Sequence, residues 1–154
     1  MTTPTELIER MLALTDVDEF LTLVHPDAEY QPRPDAPVYH GLDEIREWAV
    51  HEAADPARPQ PLPVSVTETA DRAVIRGQVR YTRGSVERRH NVLEIAAWVV
   101  TVSDGKLHRV EAFSSWGAAD AAADLGSGGG TREHRLGRGL QLLQGLRPRR
   151  LALG

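Results

Sequence analysis

Few side chains in this chain have the chemistry to move a proton. His108 lies in Lys106-Leu107-His108-Arg109-Val110, and Tyr30, Tyr81 and Glu52 lie far from it in sequence, with His40 and Asn91 behind them. An imidazole titrates near neutrality and works as acid or base when a neighbour positions it. One reading makes His108 a general acid or base, held by hydrogen bonds with Tyr30 or Tyr81. The other makes it a solvated, idle residue at a hairpin mouth, two positions past Lys106. The chain has no cysteine, so thiolate nucleophiles and thiolate ligands are excluded. No two histidines share metal-ligand spacing with a carboxylate, so no metal is expected, and no cofactor either. The glycines Gly128 to Gly130 follow no strand and precede no Gly-Lys-Ser/Thr, so they are not a phosphate loop.

The stretch that must position His108 runs from Val86 to Trp116. It reads as a long strand, a turn at Ser103-Asp104-Gly105, and a second strand. Asp-Gly between two β-rich runs is a strong hairpin signal, because glycine takes positive φ at no steric cost. On the second arm His108, Val110, Ala112 and Ser114 share one face, and Leu107, Arg109, Glu111 and Phe113 the other. The long arm is apolar on both faces, with Leu93, Ile95, Ala97 and Val99 on one and Val92, Ala96, Trp98 and Val100 on the other. A sheet with one solvated face alternates instead, so a twin subunit or the C-terminal tail is expected to cover the second face. A small-residue helix is expected from Gly117 to Leu125.

Upstream, Thr5 to Val24 reads as helix, capped by Thr5 and broken at Thr15 to Asp18, where Asp16 or Asp18 caps a second helix. His25-Pro26 ends it, since proline disfavours helix in the preceding residue. Ala28 to Gln31 is a short strand. Pro32, Pro34 and Pro37 make a stiff, extended loop. Leu42 to Ala54 is a helix with Leu42, Ile45, Trp48, Ala49 and Glu52 along one face. Asp55 to Pro63 is a proline-rich linker. Val64 to Thr69 and Ala73 to Thr82 form a further hairpin, whose second arm places Ile75, Gly77, Val79 and Tyr81 on one face.

The 154 residues suit one domain with a real core. Residues 1–126 carry 12 Lys and Arg against 21 Asp and Glu, a net of −9, while residues 127–154 carry six Arg against Glu133, a net of +5. The acidic body argues against a nucleic-acid surface. No membrane-length apolar run and no secretory segment appear, so a cytoplasmic, membrane-free protein is expected. Residues 127–154 read as a Gly-rich linker and a basic, mobile tail. Against that stands a basic helix that docks on the acidic body or on an acidic partner.

Four local motifs carry a resemblance: Asp16-Val17-Asp18-Glu19-Phe20, His25-Pro26-Asp27-Ala28, Tyr39-His40-Gly41-Leu42-Asp43-Glu44-Ile45 and Asp104-Gly105-Lys106-Leu107. In this order, over about residues 5–126, the chain resembles the nuclear-transport-factor-2-like superfamily, and within it SnoaL-like polyketide cyclases and ketosteroid-isomerase-like proteins. The resemblance implies an α+β fold: a cone-shaped, curved, mostly antiparallel sheet wrapped on N-terminal helices, with a pocket in the concave face and a homodimer formed through the sheet. The residues that carry chemistry in relatives do not carry over. The catalytic aspartate of ketosteroid isomerases falls on Pro32, their oxyanion-hole tyrosine on Ile8, and their second acid near Ala97. The Asp-Arg-Asp set of limonene-epoxide hydrolases falls on Val79, Gly77 and Ala112. The cyclase aspartate falls at Ser114 and Ser115.

The expected pocket is therefore lined by Tyr30, Trp48, Glu52, Val79, Tyr81, Ala97, Val110, Ala112 and Ser114, with His108 as the candidate catalytic group. The expected function is binding of a small apolar, polyketide- or steroid-like molecule. Catalysis, if any, is cofactor-free proton transfer: isomerisation, cyclisation or dehydration. The alternative is a non-catalytic ligand-binding or dimeric accessory module; a third reading is a protein-interaction domain using the basic tail.

Overall fold

The computed structural model describes residues 2–14, 16–85, 87–124 and, for the backbone alone, 132–135. Two short helices open the chain. Helix α1 (Pro4–Ala13) is capped by Thr3 in a reciprocal box with Glu6, with proline at its first position. Thr5, the expected cap, is instead buried, and both its N–H and its hydroxyl donate to Glu68. Helix α2 (Val17–Thr22) is capped by the Asp16 carboxylate.

The helix stops at Thr22, before His25-Pro26, and those residues belong to strand β1 (Val24–Tyr30). A short strand, β2 (Tyr39–His40), leads into α3 (Gly41–Ala54). Gly41 makes that corner at φ +77°, a conformation that L side chains rarely adopt. Strand β3 (Gln60–Glu68) begins inside the expected proline linker. Pro61 and Pro63 lie on the half of β3 that β7, paired with Ser65 to Glu68, does not cover, and a bulge shifts the ladder between Pro63 and Ser65. Strands β4 (Arg72–Arg83), β5 (His90–Ser103) and β6 (Lys106–Phe113) follow as an antiparallel meander, and α4 (Trp116–Ala122) closes the described body.

The strands form one curved, unclosed sheet in the order β2-β1-β6-β5-β4-β3-β7, where β7 is Arg132–Arg135. Among the described strands only β1 and β6 pair in parallel. Four residues of the expected mobile tail are thus a strand paired with Ser65 to Glu68. The rest of residues 125–154, including the possible docking helix, lies outside the described residues.

The concave face packs on α1, α2 and α3. Its core includes Leu7, Ile8, Phe20, Ile45, Ile75, Val79, Trp98, Val100 and Leu107. Each such side chain contributes roughly 1.5–3 kcal/mol by leaving water. The convex face has its own smaller cluster: Val74, Ala97, Val99 and Phe113 beneath Ala119 and Ala123 of α4. Arg76 ties that helix down, donating to Thr67 and Asp120 at 2.6 Å each. The second apolar face of β5 is therefore covered over part of its length by α4. Beyond it, Leu93 and Ile95 are exposed.

Candidate functional site

The cross-strand register decides what faces the cone. Tyr81 pairs with Val92, Ile75 with Trp98, and Trp98 with Ala112. Val79, Tyr81, Val110 and Ala112 therefore line the concave side, Tyr30 joins from β1, and Trp48 from α3. Ala97 lies on the opposite face, packed under α4, and cannot line a pocket there. Odd and even positions of β5 serve different layers, so one residue of parity separates Ala97 from Trp98. Ser114 is exposed, one residue past the end of β6.

His108 lies elsewhere. The β5–β6 register slips between Thr101 and Val102, so that Thr101 faces Arg109 and Val102 faces Leu107. His108 is the extra residue of this bulge. The slip turns Leu107, expected on the outer face, into the core. The imidazole packs edge-on against His25 at 4.7 Å, and His25 in turn lies 3.7 Å from Asp104. Tyr81 pairs ten residues earlier on β5 than Leu107 does. At about 3.3 Å per residue, roughly 30 Å of strand separates them. Tyr81 therefore donates to Asp35, at 2.9 Å, and not to His108.

The structure instead gathers charge at the mouth of the cone, around the proline-rich segment that follows β1. Gln31 anchors that segment: its N–H donates to the Val110 carbonyl at 2.8 Å, and its side-chain oxygen accepts from Ala112 at 3.1 Å. The Pro32 carbonyl accepts a buried 2.9 Å bond from Trp98 Nε1. Arg33 pairs with Glu52 of α3, and its Nε lies 3.5 Å from Asp35. Arg83 stands over the Tyr81 ring at 4.9 Å, a cation–π geometry. Glu52, Arg33, Asp35 and Tyr81 thus form one continuous polar chain. Sequence reasoning missed Arg33 and Asp35, treating Pro32 to Pro37 as spacer. Two charges set between prolines directly after an inward tyrosine were the available signal.

Both inward phenols resist ionisation. Burial pushes the Tyr30 hydroxyl well above its usual range, and the Glu52 carboxylate adds to that. Burial also pushes Tyr81 up, reinforced by its hydrogen bond to Asp35. Each is a neutral donor at physiological pH. Two N–H donors there, Trp48 Nε1 and Arg33 Nε, are buried without a hydrogen-bond acceptor among the described residues. A buried unpaired donor costs about 1–3 kcal/mol, so this end of the cone has more donors than the described residues satisfy.

Two hollows flank these groups. Inside the cone is a void of about 20 Å³, lined by Met11, Tyr30, Pro32, Ile75, Trp98 and Val110 among others. That is room for one water. Outside, an open groove of about 610 Å³ runs between β2 and α3, along Tyr39, Glu44, Glu47, Trp48 and His51. The Trp48 ring stacks on Tyr30 at 5.1 Å, so these two side chains are the wall between groove and void.

An open, curved sheet folded over helices, with its polar groups at the mouth, defines a cone-fold protein of the nuclear-transport-factor-2-like class. The chain belongs to the SnoaL-like domain family, whose model matches residues 5–110. Comparison with curated proteins finds no match. Among solved structures it is similar to an NTF2-like protein of unknown function from Burkholderia pseudomallei, at 18% identity and TM-score 0.61, over 79% of this chain and 97% of that one. It is similar also to SalBIII, an epoxide hydrolase/cyclase-like enzyme of pyran ring formation in the polyether salinomycin, at 17% identity and TM-score 0.55, over 73% and 88%. TerC, crystallised with polyporic acid, matches at 20% identity and TM-score 0.51, over 78% and 91%. At these identities the likeness is one of fold. Among the described residues no helix is long and apolar enough to cross a membrane.

Proposed function

We propose that this chain binds a small, largely apolar molecule in the cone, beneath the segment from Pro32 to Val38. One observation carries the reading: Tyr30, Tyr81, Glu52 and Arg33 converge on an otherwise apolar interior at its mouth. A few placed polar groups on a greasy wall are the usual make-up of a small-molecule site. The ligand class is polyketide- or steroid-like, in keeping with the family and with SalBIII. If the molecule is turned over, the chemistry is proton transfer without a cofactor, with Glu52 the carboxylate whose charge bears on the phenol of Tyr30. The void holds only one water as it stands, so binding requires the mouth segment to withdraw.

That same filled cone favours a second reading, a non-catalytic accessory module that dimerises through the convex face. Leu93 and Ile95, 55% and 56% exposed, are the apolar surface such a dimer would cover. Native mass spectrometry of protein purified from its own host separates the two. A retained apolar mass, or displacement of it by polyporic acid, supports the binding reading. A ligand-free dimer that takes up no apolar compound supports the other.

A further inference from the structure

The cone is nearly full because one stretch of its own chain sits in the mouth. Pro32 forms part of the wall of the void, and its carbonyl takes the hydrogen bond of Trp98 Nε1. Three residues later the Asp35 carboxylate takes the hydroxyl of Tyr81 at 2.9 Å. Between them Arg33 holds Glu52. Trp98, Tyr81 and Glu52 come from β5, β4 and α3, and a single segment satisfies all three. The bonds from Trp98 and Tyr81 are those that carbonyl and hydroxyl oxygens of a ligand make with a pocket.

We propose that Pro32 to Asp35 is an internal stand-in for the ligand. The Pro32 carbonyl and an Asp35 oxygen hold the places of two acceptor oxygens, which makes the ligand an apolar ring compound with at least two carbonyl or hydroxyl oxygens. The proposal rests on the ligand-binding reading above and adds what the ligand must present. Binding exchanges one set of acceptors for another, so the displaced segment costs Trp98 and Tyr81 no hydrogen bond. One further buried donor at this end, Trp48 Nε1, lacks an acceptor among the described residues. Arg33 leaves with the segment. Glu52 then faces the ligand without its cation, as a carboxylate free to take a proton. Pro32, Pro34 and Pro37 restrict the backbone, so the segment moves as a unit.

A matched pair of probes tests this: 1,4-naphthoquinone and naphthalene, one ring skeleton with and without two oxygens. Both are titrated by calorimetry against the full chain and against Asp35→Ala. The Asp35 side chain is 61% exposed, so its loss leaves the fold intact. The quinone is expected to bind at least tenfold more tightly than the hydrocarbon. Asp35→Ala is expected to bind the quinone at least fivefold more tightly than the unaltered chain, since the segment competes less well. Adding Tyr81→Phe to Asp35→Ala is expected to abolish that gain. Amide hydrogen exchange at residues 33, 35 and 36 is expected to rise on binding. Equal affinity for both probes, with exchange in the segment unchanged, overturns the stand-in and leaves the cone a binding site. Binding of neither probe to either protein overturns the binding reading itself, and the stand-in with it.

Discussion

Arg33 and Glu52 meet across the mouth of the cone, one on the segment after β1 and the other on α3, with side chains only 17% and 15% exposed. Removing one partner leaves the other charge largely out of water. Glu52→Gln is therefore expected to lower stability by about 1–3 kcal/mol, less than the ~3–5 kcal/mol of a fully buried pair. The double variant Arg33→Met/Glu52→Leu is expected to recover most of that loss. Urea unfolding midpoints of Glu52→Gln, Arg33→Met, Glu52→Leu and the double check it; a double variant as unstable as the sum of Arg33→Met and Glu52→Leu would refute it.

Trp98 joins the core of the sheet to the Pro32 carbonyl through a buried hydrogen bond. Trp98→Phe keeps an aromatic ring but leaves that carbonyl unpaired and a gap beside it. A loss of about 2–4 kcal/mol is expected from the two effects together. Amide exchange at residues 33, 35 and 36 is expected to quicken at least tenfold. Exchange as slow as in the unaltered chain would mean that the contacts of Gln31, Arg33 and Asp35 hold the segment without Trp98.

Tyr30 and Tyr81 set the alkaline limit of stability. In the folded chain both phenols are held above the ordinary tyrosine value of about 10. The unfolded chain therefore loses these protons first as pH rises. Stability is unaffected below about pH 9 and falls above pH 10, by up to about 1.4 kcal/mol per pH unit for each phenol. Of the three tyrosines, two are expected to stay un-ionised until the chain unfolds. Phenolate absorbance followed alongside circular dichroism checks this, and full ionisation ahead of unfolding would contradict it.

His108 lies at the end of the sheet away from Tyr81, against His25. In the Asp35→Ala background, where no segment oxygen competes for the Tyr81 hydroxyl, His108→Ala is expected to leave ligand affinity within twofold, whereas Tyr81→Phe weakens it by about fivefold, the loss of one hydrogen bond of about 1 kcal/mol. Equal losses from the two substitutions would put the site at the hairpin end instead.

The fold was legible because its signals are local and repeated. Asp104-Gly105 fixed the β5–β6 turn, alternation on β4 put Ile75, Val79 and Tyr81 on one face, and the stripe on α3 turned Ile45, Trp48 and Ala49 inward. The site was legible only in part. Tyr30, Trp48, Glu52 and Tyr81 stand near one another, but what joins them is Arg33 and Asp35, on a loop with no period to read. The position of His108 was within reach: counting the ladder back from the turn puts it far from Tyr81. The bulge that turns Leu107 inward was not, since a slipped register leaves no compositional mark. Likewise, Thr3 rather than Thr5 begins α1 because Pro4 prefers the first helical position.

Strand β7 lies along Ser65 to Glu68 of β3, at the far margin of the sheet. Without it those residues would present a row of unsatisfied amides and carbonyls, the template on which foreign strands stack into aggregates. The other margin is blunted by the brevity of β2, only two residues long. A version trimmed at Gly126 would thus keep every group at the cone mouth and still be the stickier protein, because what the tail supplies is a seam closed against neighbours.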